Sequence, residues 1–319
     1  MKKIIPIIAI VLVFIVGLGF LCYPLVSSVV NNIASRQEAE AEIKKFSSLG
    51  DEKIDALFAE ADEYNHSLID TVILTDPFDA ESYEKIGAHY RETFDVNGKG
   101  LIGYVTIPKI NVYLPIYHGT SKEVLDSYAG HLDNTSFPVG GESTHSVISA
   151  HTGFPTKTFF DYLTDMENGD AFYIHVLDRT LKYEVDKVKV IDPEDTSDLY
   201  VINGEDHVTL LTCTPYGVNT HRLIVRGTRV PYNEESNEAF ISSVSVDSGY
   251  IYFFGYRISF LTMGILIACF VLVVAAVVFV GIRASRSKRK RAEKEQAEKA
   301  EKAETETGGG TSESEEESG

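Results

Sequence analysis

The chain has 319 residues, with 29 Lys and Arg against 47 Asp and Glu, a formal net charge of −18 at pH 7. Hydrophobic residues make up 44%, too many for a chain disordered throughout. Its acidic balance excludes nucleic-acid binding, which rests on clustered Lys and Arg, and three cysteines cannot build a disulfide framework.

Two apolar runs divide the chain. Ile4 to Phe20 follows Lys2 and Lys3, and no further charge appears until Arg36. Ile258 to Ile282 is uncharged between Arg257 and Arg283. At about 1.5 Å per helical residue, either run can cross a hydrocarbon core of about 30 Å. Residues 1–30 read as an uncleaved transmembrane anchor, with a signal peptide as the alternative. No small-x-small cleavage site follows the apolar core, and Leu25 to Ile33 stays apolar. Residues 258–282 read as a C-terminal transmembrane helix. Lys2 and Lys3 lie before the first span, and Arg283, Arg286, Lys288, Arg289, Lys290 and Arg291 follow the second. The bias of basic residues toward the cytoplasm sets both termini inside and the segment between the spans outside. The tail, 283–319, is charged. Its basic first turn can meet anionic membrane lipids, and its Gly/Ser/Glu-rich end is expected to be disordered.

Residues 31–99 read as an extracytoplasmic helical segment. From Arg36 to Thr71, Ile43, Phe46, Leu49, Ile54, Leu57, Phe58 and Ala61 recur at steps of three and four, with Gly50 dividing the run into two helices. Asp76-Pro77-Phe78-Asp79 breaks the pattern, and a short helix is expected over Ala80 to Glu92.

From 100 to 231 the texture becomes β. Strands are expected over Ile102–Ile107, Val112–Tyr117, Ser146–Ala150, Ala171–Val176, Leu181–Ile191, Val208–Cys213 and His221–Val230. Short helices are expected near Glu123–Tyr128 and Thr158–Met166. Many short strands over one such stretch imply a mainly β fold that closes, or nearly closes, into a barrel. Residues 232–257 read as a linker.

Cys22 and Cys269 fall in or beside the spans, which leaves Cys213 as the sole thiol of the exported domain. A lone cysteine there is either a small buried hydrophobe or a reactive group. Val208 to Cys213 is stopped by Thr214-Pro215-Tyr216-Gly217, so the thiol sits at a strand end. The chain returns at His221-Arg222-Leu223. If these two runs pair antiparallel, Arg222 lies beside Cys213, where a cation lowers a thiol pKa and can bind an oxyanion. A histidine would complete the set. His118, His131, His145, His151, His175, His207 and His221 all lie in the β region. His151 ends a strand punctuated by Gly153 and Pro155; His221 is the local rival, but adjacent strand residues face opposite ways. No HxH, HExxH or paired-Cys spacing is present, so neither a metal nor another cofactor is expected.

Ser149-Ala150-His151-Thr152-Gly153, Thr209-Leu210-Leu211-Thr212-Cys213-Thr214-Pro215-Tyr216-Gly217 and His221-Arg222-Leu223 together resemble the sortases of Gram-positive bacteria. The resemblance covers most of 100–231, including Pro138-Val139-Gly140-Gly141. The second apolar span and Asp76-Pro77-Phe78 resemble the pilus-building class C branch. The resemblance implies an eight-stranded β-barrel and a cysteine transpeptidase. Cys213 would attack the Thr–Gly bond of an LPxTG-like sorting signal, His151 would move protons and Arg222 would stabilise the oxyanion. The partners implied are pilin subunits carrying that signal, with an acceptor lysine on the next subunit. It also implies a lid around 75–79, Asp76 pairing with Arg222 and Phe78 covering Cys213; a plain turn is the alternative. A wall-anchoring sortase, a membrane-anchored cysteine protease and, as a non-enzyme, an exported binding domain with an inert Cys213 are the competing functions.

Overall fold

The computed structural model describes scattered residues from 12 to 46, then 49–68, Asp76 and Phe78, 88–233 apart from 97, 155 and 156, and 250–308 apart from 254 and 255. Most of the first apolar run, Pro77, and 80–87 of the short helix expected over Ala80 to Glu92 lie outside the described residues.

Those described from 12 to 46 are helical, and Gly50, extended at φ −70° and ψ 152°, starts a new helix, α1 (Asp51–Ser67). Its buried Ile54, Phe58, Ala61 and Asn65 recur at three- and four-residue steps and form one face. The Arg179 guanidinium lies 3.5 Å from the Phe58 ring centre, and Phe58 packs 5.9 Å from Phe94. At the far end of α1, Asn65 bonds both backbone groups of Phe137: Nδ2 donates to its O at 3.2 Å, and its N donates to Oδ1 at 2.7 Å. A second helix, α2 (Ala88–Glu92), is held by Tyr90, whose hydroxyl accepts the Gly119 N–H at 3.0 Å and lies 2.8 Å from His131 Nδ1. Both helices are therefore fastened to the β domain by buried polar bonds as well as by packing.

Eight strands follow: β1 (Leu101–Ile107), β2 (Val112–His118), β3 (Ala129–His131), β4 (Thr144–Ser149), β5 (Ala171–Val176), β6 (Arg179–Ile191), β7 (Asp206–Thr214) and β8 (His221–Val230). They close into a barrel in the order β1-β2-β3-β4-β7-β8-β6-β5. The pairs β2–β3 and β4–β7 are parallel and the rest antiparallel. Strand alternation sorts the apolar residues. Val208, Leu210 and Val225 join the main core, and Val147, Leu211 and Ile224 form a second cluster with Leu132, Ile191 and Leu199. Phe78 packs onto that second cluster. Gly227 is required where β8 passes the Phe172 ring, since a Cβ there would stand 2.6 Å from it.

The structure departs from the expected elements in four places. β3 is too short to carry a periodicity and exists through its pairing with β2 and β4. The helix near Glu123 is one turn, α3 (Lys122–Leu125), capped by the Ser121 side chain. Over Thr158–Met166 only a 3-10 turn forms, Leu163–Asp165. Its reason is local: Asp161 accepts the N–H groups of Gly153 and Phe159, both at 2.8 Å, a loop arrangement that competes with helix. Within 232–257 a two-stranded sheet appears, β9 (Tyr250–Phe253) with β10 (Tyr256–Ser259), so the last helix, α4 (Phe260–Gly308), starts just after Ile258 and Ser259.

The chain forms two compact units, 22–258 and a second made of 1–21 with 259–319. In the latter, Phe14 stacks on Phe270 with ring centres 4.3 Å apart. Among the described residues, one helix, Phe270–Lys299 within α4, is long and apolar enough to cross a membrane, its apolar window having a mean hydropathy of 1.9.

Candidate active site

The antiparallel register of β7 and β8 makes Cys213 and Arg222 direct cross-strand partners. They lie two residues beyond the partners Leu211 and Ile224, so both share the face that carries the second apolar cluster. His221 pairs with Thr214 on the opposite face, exposed, with Nε2 3.6 Å from Asp192 Oδ1; that removes it from the thiol site.

His151 arrives from the other side. β4 pairs with β7 in parallel with Ser149 opposite Leu211, and the pairing is carried on by Ala150 N–H to Leu211 O at 3.1 Å and Thr212 Oγ1 to Ala150 O at 2.7 Å. His151 lies two residues past Ser149, as Cys213 lies two past Leu211, so continuing this register sets the two level. The loop that follows is fixed by Asp161 and by the Phe160 N–H, which donates to His151 O at 3.0 Å. Gly153, at φ +75°, lies against the Tyr216 ring, which ties this loop to the β7–β8 connection.

Asp76 and Phe78 reach the same place. Arg222 Nε donates to Asp76 Oδ1 at 2.9 Å and its Nη2 to Oδ2 at 2.6 Å, a bidentate pair. Nη1 donates to the carbonyls of Asn219 and His221, each at 3.0 Å. The Phe78 ring lies 5.1 Å from the Arg222 guanidinium and 5.7 Å from the His151 ring. Phe154 stacks on His151, also at 5.7 Å.

This packing sets the protonation. Burial pushes the Cys213 thiol up to about 11, with Arg222 opposing and Asp76 adding to the rise. Burial lowers His151 below its ordinary value, Asp126 opposing and Lys122 reinforcing. At neutral pH the site therefore holds a neutral thiol and a neutral imidazole. A cavity of about 260 Å³ opens beside the thiol, lined in part by Thr152, Asp161, Tyr162, Thr212, Cys213 and Tyr216; neither Asp76 nor Phe78 lines it.

The structure brings together all five residues singled out from the sequence: Cys213, His151, Arg222, Asp76 and Phe78. Two it adds are Asp161, which shapes the histidine loop, and Asp126, whose Oδ1 is 3.8 Å from His151 Nε2. Neither has a sequence signal, because each acts through a contact made by the closed fold. The remaining β-region histidines have other surroundings: His131 bonds Tyr90, His145 bonds Thr209 and Tyr200, and His175 stacks on Tyr104.

A family model for the sortase domain matches residues 105–230. Sortase D of Bacillus subtilis is 32% identical over 131 residues, covering 40% of this chain and 63% of that protein. The chain spans about three-fifths of the length of the curated relatives it matches first. Among solved structures, sortase C-1 from Streptococcus pneumoniae is 46% identical with a TM-score of 0.58, covering 62% of this chain and 100% of that one. A pilus-related sortase C of Group B Streptococcus is 45% identical with a TM-score of 0.53, covering 61% and 97%. The chain belongs to the sortase family, and its structural likeness is to the class C sortases.

Proposed function

We propose that the protein is a membrane-anchored cysteine transpeptidase that joins pilin subunits. The observation carrying this reading is the cross-strand pair Cys213–Arg222, with His151 two residues past the end of the neighbouring strand β4. In the proposed reaction the Cys213 thiolate attacks the Thr–Gly carbonyl of an LPxTG-type signal. The tetrahedral oxyanion forms beside the Arg222 guanidinium, whose donors become available as Asp76 leaves. His151, as imidazolium, gives its proton to the departing glycine amine, and the C–N bond breaks to leave a thioester on Cys213. A lysine amine of the next subunit then attacks the thioester. His151 takes its proton, the C–S bond breaks, and an isopeptide bond results, with the Cys213 thiolate and His151 imidazolium restored.

Asp76 and Phe78 form the resting lid in this reading. They occupy the guanidinium and lie against the imidazole, and the raised thiol keeps the closed enzyme unreactive. The similar structures are class C sortases, one described as pilus-related, which supports a pilin as substrate. Both chain ends are assigned to the cytoplasm from the basic residues around the apolar runs.

The test is intact-mass analysis of the full chain in detergent, mixed with an LPxTG peptide and a lysine-bearing pilin fragment. A thioacyl adduct and a joined product, both lost in Cys213→Ala, are expected. Adduct that ends only in hydrolysis would favour the protease alternative. No adduct, even with Asp76→Ala, would overturn the reading.

A further inference from the structure

The imidazole of His151 faces a carboxylate that the sequence pattern does not mark. Asp126 caps the C-terminus of α3, where its backbone N–H bonds Lys122 O, and its Oδ1 lies 3.8 Å from His151 Nε2. Its other oxygen, Oδ2, is bonded by Lys122 one helical turn earlier, so the ammonium holds the carboxylate and leaves Oδ1 toward the histidine. Asp126 and His151 are both about one-third exposed, 34% and 29%, so their attraction is not buried away from the reaction. We propose that Asp126 is a positioning residue for His151, holding the ring and favouring its imidazolium form during the transfer reaction.

The other charges around the ring do not take this role. Lys122 acts on the imidazole in the opposite sense to Asp126. Asp76 is engaged by Arg222. Asp161 has both oxygens on the N–H groups of Gly153 and Phe159, and the Lys157 ammonium is bonded to Ser127 O. Among the described residues, Asp126 is thus the carboxylate with an oxygen facing Nε2, at 3.8 Å. Its charge matters because the reactive pair is Cys213 thiolate with His151 imidazolium, whereas the resting groups are thiol and neutral ring. When a histidine titrates below its cysteine partner, the reactive fraction rises tenfold for every unit by which their pKa values approach.

This reasoning rests on the transpeptidase reading, but its first test does not. The full chain in detergent micelles, labelled at histidine Cε1, is titrated by NMR, with the His151 signal assigned by its loss in His151→Gln. Asp126→Asn should lower the His151 midpoint by about 0.5 to 1 pH unit, the size expected of unit charges about 4 Å apart near water. Asp126→Ser should do the same, which separates loss of charge from a rearranged amide. An unchanged or raised midpoint in both folded variants overturns the proposal. The second test is the pH profile of kcat/KM for peptide transfer. In Asp126→Asn the acid limb should move down by the same number of units as the log of the plateau falls, about three- to tenfold, and the two profiles should converge at low pH. A lower plateau with no shift of the limb means a structural role only, and also overturns it. A normal NMR shift with no transfer in the wild type would instead count against the transpeptidase reading.

Discussion

Asp76 and Arg222 are 146 residues apart in the chain and share two hydrogen bonds, at 2.9 and 2.6 Å. Their side chains are 17% and 10% exposed, so the pair is screened less than a surface ion pair but is not sealed from water. A contact of that kind is strong enough to hold a segment and weak enough to be displaced.

Asp76→Ala should therefore raise the rate at which iodoacetamide alkylates Cys213, by about three- to tenfold. Two effects act in the same direction: Phe78 loses the neighbour whose Oδ1 accepts its N–H at 3.3 Å, and a negative charge that raises the thiol pKa is removed. Mass spectrometry of the alkylated protein over time checks this. An unchanged rate would mean that the segment does not cover the thiol.

Asn65→Ala should destabilise the unit formed by 22–258 by about 2 kcal/mol. The change removes two bonds to Phe137 and leaves its buried N–H unsatisfied, while its carbonyl keeps the Val139 N–H at 2.8 Å. Urea denaturation should show a lower midpoint with little change in slope.

Acid should weaken the fold through its buried histidines. Burial holds His118, His145 and His175 down to about 4 and His131 to about 3, against an ordinary value of 6.5. Between those values the unfolded chain binds protons that the native protein does not. Their contribution is therefore complete above pH 6.5 and is lost progressively as the pH falls toward 4. Melting temperature measured from pH 7.5 to 4.5 should drop steadily below about 6.5. Replacing His175, whose ring stacks on Tyr104, with Gln should flatten that drop.

The β-barrel and its principal trio were legible because local signals and long-range geometry agree there. Val208 to Cys213 and His221 to Val230 read as strands stopped or joined at Pro and Gly, and the loop between them permits, without forcing, the antiparallel register that sets Arg222 against Cys213. His151 was less legible: a strand end punctuated by glycine sets it only a little above the other β-region histidines, and the family resemblance singles it out. β3 was not legible, since three residues carry no period, and the 3-10 turn at Leu163 was not, since Asp161 bonds backward to Gly153. Asp126 was hidden more completely: nothing in Lys122-Glu123-Val124-Leu125-Asp126 distinguishes a carboxylate facing a histidine from one facing solvent.

The fastening of α1 by Asn65 and of α2 by Tyr90 gives the Asp76–Arg222 contact a further property. On either side of the stretch joining Leu68 to Ala88 the described residues are bonded to the β domain, through Asn65 on one side and Tyr90 on the other. In the lid reading Asp76 is a tethered competitor, present at an effective concentration on the order of millimolar however dilute the enzyme. A short peptide that meets only Arg222 would have to approach that concentration to displace it. A ligand that also gains the apolar surface beneath Phe78 would not, so occupancy of the site would discriminate by the number of simultaneous contacts a substrate can make and not by its abundance.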